Sequence, residues 1–265
     1  MGNFEFKKKF GQNFLNDNNL LTEIVEKAGV TSEDIVVEIG VGKGALTEVL
    51  SKYAKKVYSF EIDSDLFGYL ETKFSGTNVE FIFEDIMNYS DEKLYSLVCG
   101  KFKLVANLPY YVTSPIITRF VKNDNLESLT VMVQEEVADR IIAVPKTKNY
   151  GVLSIICQLF GDAKKVIRVN RKMFTPVPNV DSAVVRIDRN NMYDITNYDK
   201  FISFIKKAFS MRRKKLSTNL ESHSMPKVEI DKLFLQNGFT ETVRAEELSI
   251  FDFKKLYELF YNKIS

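Results

Sequence analysis

The chain has 265 residues, 45% of them hydrophobic, with 37 Lys and Arg against 35 Asp and Glu and a formal net charge of +2. That is enough for one large domain, or one domain with a small appendage, around an ample core, and the near-neutral balance excludes any argument for a polyanionic partner from overall charge. Cys99 and Cys157 lie far apart among apolar neighbours and outside any CxxC pair, no apolar run approaches the ~18 residues of a membrane span, and Met1-Gly2-Asn3-Phe4-Glu5 lacks a signal-peptide core. These features exclude a disulfide framework and a membrane protein, and they predict reduced core cysteines, no metal and a cytoplasmic location.

The amino terminus carries Lys7-Lys8-Lys9, a basic cluster that fits either a solvated tail or a nucleic-acid contact. Asp17 is placed to cap a helix with Leu20, Leu21, Ile24, Val25 and Ala28 on one face and an end near Gly29. From Asp34 strands and helices alternate: a strand at 35–39, a glycine-rich turn at 40–44, a helix at 45–53, a strand at 56–60, a helix at 64–74, and strands at 79–83, 102–106 and 129–133. This spacing predicts a parallel, doubly wound α/β sheet. Glu61, Asp85 and Asn107 close three of its strands at one edge.

Helical stretches near 134–143 and 150–160 precede two more strand-like runs, 165–169 and 183–187, separated by Phe174-Thr175-Pro176-Val177-Pro178. The polar segment Asn190-Asn191-Met192-Tyr193-Asp194 interrupts the pattern, and everything after it reads helical. The expected domains are therefore 1–190, the α/β domain with its basic leading segment, and 191–265, a smaller helical domain.

The chemistry is expected at Asn107-Leu108-Pro109-Tyr110-Tyr111, where a buried strand opens into a loop at its carboxyl end, the edge at which α/β sheets bind ligands. An amide, a carbonyl freed from helical bonding by proline and flat aromatic faces are the parts that hold a planar base by its exocyclic amine. The turn Glu38-Ile39-Gly40-Val41-Gly42-Lys43-Gly44-Ala45 also satisfies a dinucleotide pattern, with Glu61 about 20 residues on. A nicotinamide dehydrogenase is thus one alternative, although the single histidine, His223, lies in a polar segment of the helical region. S-adenosylmethionine fits better, with Glu61 for the ribose, Asp85 for the adenine amine and Glu38 either near the ligand or bracing the loop.

Six separated blocks, Lys8–Leu15, Val37–Thr47, Glu61–Asp63, Asn107–Tyr110, Phe174–Val185 and Ala208–Leu216, resemble in order the small-subunit rRNA adenine N6,N6-dimethyltransferase family. Val41 stands where that glycine turn commonly has proline. The resemblance implies a Rossmann-like methyltransferase domain with a small helical carboxyl-terminal domain, and S-adenosylmethionine as cofactor. Asn13 and Leu15 would close over it, Gly40 would approach its methionine part, Glu61 its ribose and Asp85 its adenine, and Asn107 would touch both cofactor and target amine.

The chemistry implied is transfer of methyl groups to two adjacent adenosines in a hairpin near the 3′ end of 16S rRNA, within the small ribosomal subunit. Asn107 and a carbonyl at Leu108 or Pro109 would accept the two amine N–H bonds, while Tyr110 and Phe174 stack on the base. Lys206, Lys207, Arg212, Arg213, Lys214 and Lys215, with no acidic residue between Phe201 and Leu220, form the candidate RNA-binding cluster, and Lys164, Lys165, Arg168, Arg171 and Lys172 add charge near Phe174. A large-subunit rRNA methyltransferase conferring macrolide resistance and an RNA-binding assembly factor remain as alternatives, with monomer as the default state.

Overall fold

The computed structural model describes residues 14–15, 17–190, 192–222 and 225–264. Lys7–Lys9, Asn13 and His223 therefore lie outside the described residues. In chain order the first part comprises β1 (Phe14–Leu15), α1 (Asn18–Lys27), β2 (Ile35–Ile39), α2 (Ala45–Tyr53), β3 (Lys56–Phe60), α3 (Phe67–Lys73), β4 (Val79–Ile82), α4 (Asp91–Val98), β5 (Phe102–Asn107), α5 (Thr113–Phe120) and β6 (Leu126–Gln134). There follow α6 (Glu135–Ile141), α7 (Val152–Phe160), β7 (Gly161–Val169), β8 (Phe174–Thr175) and β9 (Ser182–Arg189), then α8 (Tyr198–Ala208), α9 (Leu216–Leu220), α10 (Lys227–Gln236) and α11 (Ile250–Ile264).

Seven strands form one sheet in the order β4-β3-β2-β5-β6-β9-β7. Five of them, β4 to β6, are parallel, as the alternating pattern predicts, but β9 runs antiparallel to both β6 and β7. Hydrophobic periodicity reads which face of a strand is buried and carries no sign of direction, so the antiparallel pair was not legible. Strand order reverses between β2 and β5, which leaves a crevice at their carboxyl ends.

Local chemistry sets each element. The Asp17 carboxylate accepts from the Asn19 and Leu20 N–H groups at 3.0 Å, a cap contributing about 1 kcal/mol. At the other end of α1, Gly29 N–H donates to the Glu26 carbonyl and Val30 N–H to the Val25 carbonyl, a left-handed termination that Gly29 reaches at φ +63°. The helix buries Leu20, Leu21, Ile24 and Val25 with Leu46, Val49 and Leu50 of α2 against Val36, Val57 and Val105 of the sheet. Cys157 is buried, but Cys99 is exposed. It ends α4 in a left-handed conformation, φ 53°, a terminus its apolar neighbours in sequence do not reveal.

The chain forms two compact units, residues up to Ala138 with Phe160–Asn190, and Asp139–Leu159 with residues beyond Asn190. It thus changes unit three times, whereas the sequence pattern predicts a single boundary near 190. In the second unit Phe201 and Ile205 of α8, Leu216 of α9, Phe234 of α10 and Phe253 of α11 are fully buried. Among the described residues no helix is long and apolar enough to cross a membrane, and no His, Cys, Asp and Glu side chains gather to hold a metal ion.

Candidate active site

The crevice between β2 and β5 opens into a cavity lined by Gly40 and Gly42 after β2, Glu61 and Ile62 after β3, Asp85 and Met87 after β4, Asn107 at the end of β5 with Leu108 to Tyr111 after it, and Leu15. Gly40 adopts φ +80°, and a Cβ there would meet the Asn107 carbonyl oxygen at 3.5 Å, so the demand for glycine is conformational more than spatial. Gly44, at φ +74°, starts α2, and a Cβ there would press on the Phe74 ring at 2.7 Å.

Glu61 is buried and gathers the turn around itself. Its Oε2 accepts from Gly42 N–H at 2.8 Å, and its Oε1 accepts from Ile62 and Asp63 N–H at 2.8 and 2.9 Å. Three of the roughly four acceptor positions of a carboxylate are thus in use. Asp85 caps the single 3-10 turn Ile86–Asn88, with Oδ1 accepting from Met87 N–H at 2.9 Å. Ile62 and Met87, 49% and 39% exposed, add apolar surface to the lining of the same cavity.

Glu38 is behind the turn, not in the cavity lining. Its Oε2 accepts from Thr47 and Ser59 hydroxyls, both at 2.7 Å, while Oε1 is buried with no hydrogen-bond partner among the described residues. Burial pushes the Glu38 carboxyl up to about 7 against the pull of the two hydroxyls, and the negative charge of Glu61 adds to the rise. Of the two roles open to it in the sequence, bracing the loop is the one this geometry supports.

In the Asn107–Tyr111 loop the Pro109 carbonyl already accepts from Val112 N–H at 3.1 Å and the Thr113 hydroxyl at 3.2 Å. The Tyr110 hydroxyl lies 2.8 Å from that of Ser182, the first residue of β9, and Tyr110 is half-buried. Desolvation raises its phenol above the usual value, with the Ser182 contact opposing. Ser182 was not foreseen as a partner: it sits on a different strand, and only the register that pairs it with Gln134 brings it to the loop.

Phe174 does not join this group. It is 2% exposed in β8, paired with Leu15 of β1 and packed in the core with Leu21 and Val169, and it is absent from the cavity lining. The expected second stacking face is taken up by the fold, because the two-residue strand pair that covers it is non-local and too short to leave a pattern in the sequence.

The profile of a family described as "Ribosomal RNA adenine dimethylase" matches residues 3–262 of the chain. The chain belongs to that family. Relatives named "Ribosomal RNA small subunit methyltransferase A" include one from Clostridioides difficile (strain 630), 40% identical over 270 residues and covering 99% of this chain and 93% of its own. Another, from Onion yellows phytoplasma (strain OY-M), is 39% identical over 263 residues and covers 97% of both. A solved dimethyladenosine transferase from Plasmodium falciparum superposes with a TM-score of 0.82 at 28% identity, covering 94% of this chain and 98% of that one. The 23S rRNA methyltransferase ErmE gives 0.71 at 26% identity, covering 93% and 98%. The fold is that of Rossmann-like methyltransferases and the chain is an rRNA adenine dimethylase by family.

In this member of the ribosomal RNA adenine dimethylases the basic cluster of the second unit divides in two. Lys207 Nζ donates to the Leu220 and Glu221 carbonyls at 2.9 and 3.1 Å, tying down the end of α9. Arg212 pairs with Glu246 at 3.0 Å and donates to the Lys148 and Tyr150 carbonyls. Both serve the unit's own packing. The side chains of Lys206, Arg213 and Lys214 have no hydrogen-bond or ion-pair partner among the described residues, and all three residues are exposed, while Lys215 is half-buried. In the first unit Lys165 and Arg168 both reach Glu135, at 2.6 and 3.7 Å.

Proposed function

We propose that the chain transfers methyl groups from S-adenosylmethionine to the N6 amines of two adjacent adenosines in a hairpin near the 3′ end of 16S rRNA, giving N6,N6-dimethyladenosine in the small ribosomal subunit. The observation that carries this reading is the meeting, in one cavity, of the Gly40 turn, the Glu61 and Asp85 carboxylates and the Asn107-Leu108-Pro109-Tyr110 loop. The names of the relatives, small-subunit methyltransferases at about 40% identity over nearly the whole chain, point to the same substrate.

The donor set suits the cofactor. Gly40 leaves backbone exposed to a methionine chain; Glu61 keeps one acceptor position for a ribose hydroxyl; and Asp85 offers its second oxygen to the adenine amine, between the apolar flanks of Ile62 and Met87. When bound, S-adenosylmethionine supplies a positively charged sulfonium methyl.

The target amine is a poor nucleophile because its lone pair is conjugated into the ring, so the protein has to orient it. The Asn107 amide oxygen accepts one N–H of the amine. The Leu108 carbonyl accepts the other, since the Pro109 carbonyl is occupied by Val112 and Thr113. Tyr110, steadied through its hydroxyl by Ser182, stacks on the base, an interaction of roughly 1–3 kcal/mol. No strong base is needed before attack because the neutral amine meets a cationic methyl, and the proton leaves afterwards. Lys206, Arg213 and Lys214 hold phosphates of the RNA.

The deciding experiment is transfer of label from S-adenosylmethionine to unmethylated small subunits and, in parallel, to large-subunit rRNA, with the product mapped to the nucleoside. Dimethyladenosine in the small subunit alone is the expected outcome. Label only in large-subunit rRNA would keep the chemistry and move the substrate, and no label would leave an RNA-binding assembly factor.

A further inference from the structure

α5 begins just after the Asn107–Tyr111 loop, and Arg119 stands in its last turn. The guanidinium reaches the segment after Asp85: it donates to the Ile86 and Tyr89 carbonyls and lies 3.2 Å from the Asp91 carboxylate. The Arg119 side chain is only 16% exposed, whereas Asp91 is 64% exposed, so the two carbonyls are the firm anchors and the ion pair is the weak one.

What Arg119 grips is a single 3-10 turn, Ile86–Asn88. A one-turn helix has no interior ladder and depends on what satisfies its ends. Asp85 holds one end through Met87 N–H. At the other, Tyr89 N–H closes the turn on the Ile86 carbonyl at 3.3 Å, the same carbonyl that Arg119 binds. Asp85, Ile86 and Met87 all line the cavity.

We propose that Arg119 is a positioning residue for the cofactor: by locking the 86–88 turn it aims the Asp85 carboxylate and the Met87 side chain at the adenine ring. The inference rests on the reading of the cavity as an S-adenosylmethionine site. It also makes α5 a rigid link between the loop that takes the target base and the wall that takes the cofactor. Lysine cannot substitute, because one ammonium on a flexible stem does not span three acceptors as a planar fork does.

The test is calorimetric binding of S-adenosylhomocysteine to the full chain, unmodified and as R119K, R119Q, D85N and R119K/D85N, with steady-state methyl transfer alongside. R119K and R119Q are expected to weaken binding about tenfold while kcat at saturating S-adenosylmethionine and KM for RNA stay within about threefold. Because Arg119 acts through the Asp85 turn, the double variant should bind within about threefold of D85N alone. The proposal is overturned if R119K binds within twofold of the unmodified chain, if the two losses multiply, or if kcat and both KM values change together with a lower melting temperature. Failure of both Arg119 variants to fold would overturn it as well, assigning Arg119 to the fold and not to the site. A missing signal with the unmodified chain brings down the cofactor reading itself, and is told apart because it needs no variant.

Discussion

The cavity and the basic cluster were both found by residue type in the sequence, yet the structure treats their charges differently. In the cavity, groups expected to meet a ligand also hold the backbone that shapes the site: Glu61 gathers three N–H groups and Asp85 caps a turn. In the cluster the division is between residues: Lys207 and Arg212 are taken by carbonyls and Glu246, and Lys206, Arg213 and Lys214 are left to solvent. A motif locates a site, and an account of hydrogen-bond partners decides which of its members can bind something else.

Four substitutions sharpen that contrast. Asn107→Ala should lower methyl transfer by about 10²-fold or more while S-adenosylhomocysteine still binds, because an orienting acceptor is lost and the carboxylate wall is intact. Full transfer activity in this variant would remove Asn107 from the chemistry. In the cluster, Arg212→Glu should chiefly destabilise the second unit, by about 1–3 kcal/mol in denaturant melts, since it leaves carbonyls unpaired and sets two carboxylates together. Arg213→Glu with Lys214→Glu should instead leave the melt unchanged, weaken RNA binding and flatten its dependence on log salt by about one unit per lost phosphate contact. Equal behaviour of the two sets would erase the division drawn above.

A third experiment concerns the carboxylate behind the turn. The Glu38 carboxyl, ordinarily near 4.5, is raised to about 7 in the folded chain, so the folded state holds its proton more tightly than the unfolded one. Its contribution is fully present below about pH 4.5, declines as pH rises to about 7, and is constant above, a loss on the order of 3 kcal/mol. Glu38→Gln, neutral throughout, should flatten stability over that window when denaturant midpoints are compared at its two ends; an unaltered profile would place the titration elsewhere. The smallest effect is expected of Tyr110→Phe, which should cost about 1 kcal/mol of orientation, a few-fold in kcat, because the ring remains and only the Ser182 contact is lost.

Much of the site was legible because it lies at strand ends, where local pattern and position agree. Glu61, Asp85 and Asn107 each follow a short apolar run, and all three line the cavity. That the Pro109 carbonyl is already occupied was not legible, since it turns on where Val112 and Thr113 donate. Nor was the structural use of Arg212, whose partners come from segments distant in the chain. Phe174 was misplaced for the same reason, covered by a strand from the other end of its domain. The excursion of Asp139–Leu159 into the second unit escaped because a helix pattern says which face is apolar and not which core it joins.

The reversal of strand order between β2 and β5 has a consequence for folding kinetics. The glycine turn and the Asn107 loop are far apart in the chain, so the crevice exists only once β5 has docked beside β2, after the β3 and β4 excursion. Such non-local pairing is slow to form because loop closure precedes any gain from contact. A ligand that requires both lips of the crevice finds no site in the partly assembled sheet. It should therefore act on the native side of the barrier, slowing unfolding in proportion to its occupancy while leaving the folding rate as it is in the free chain.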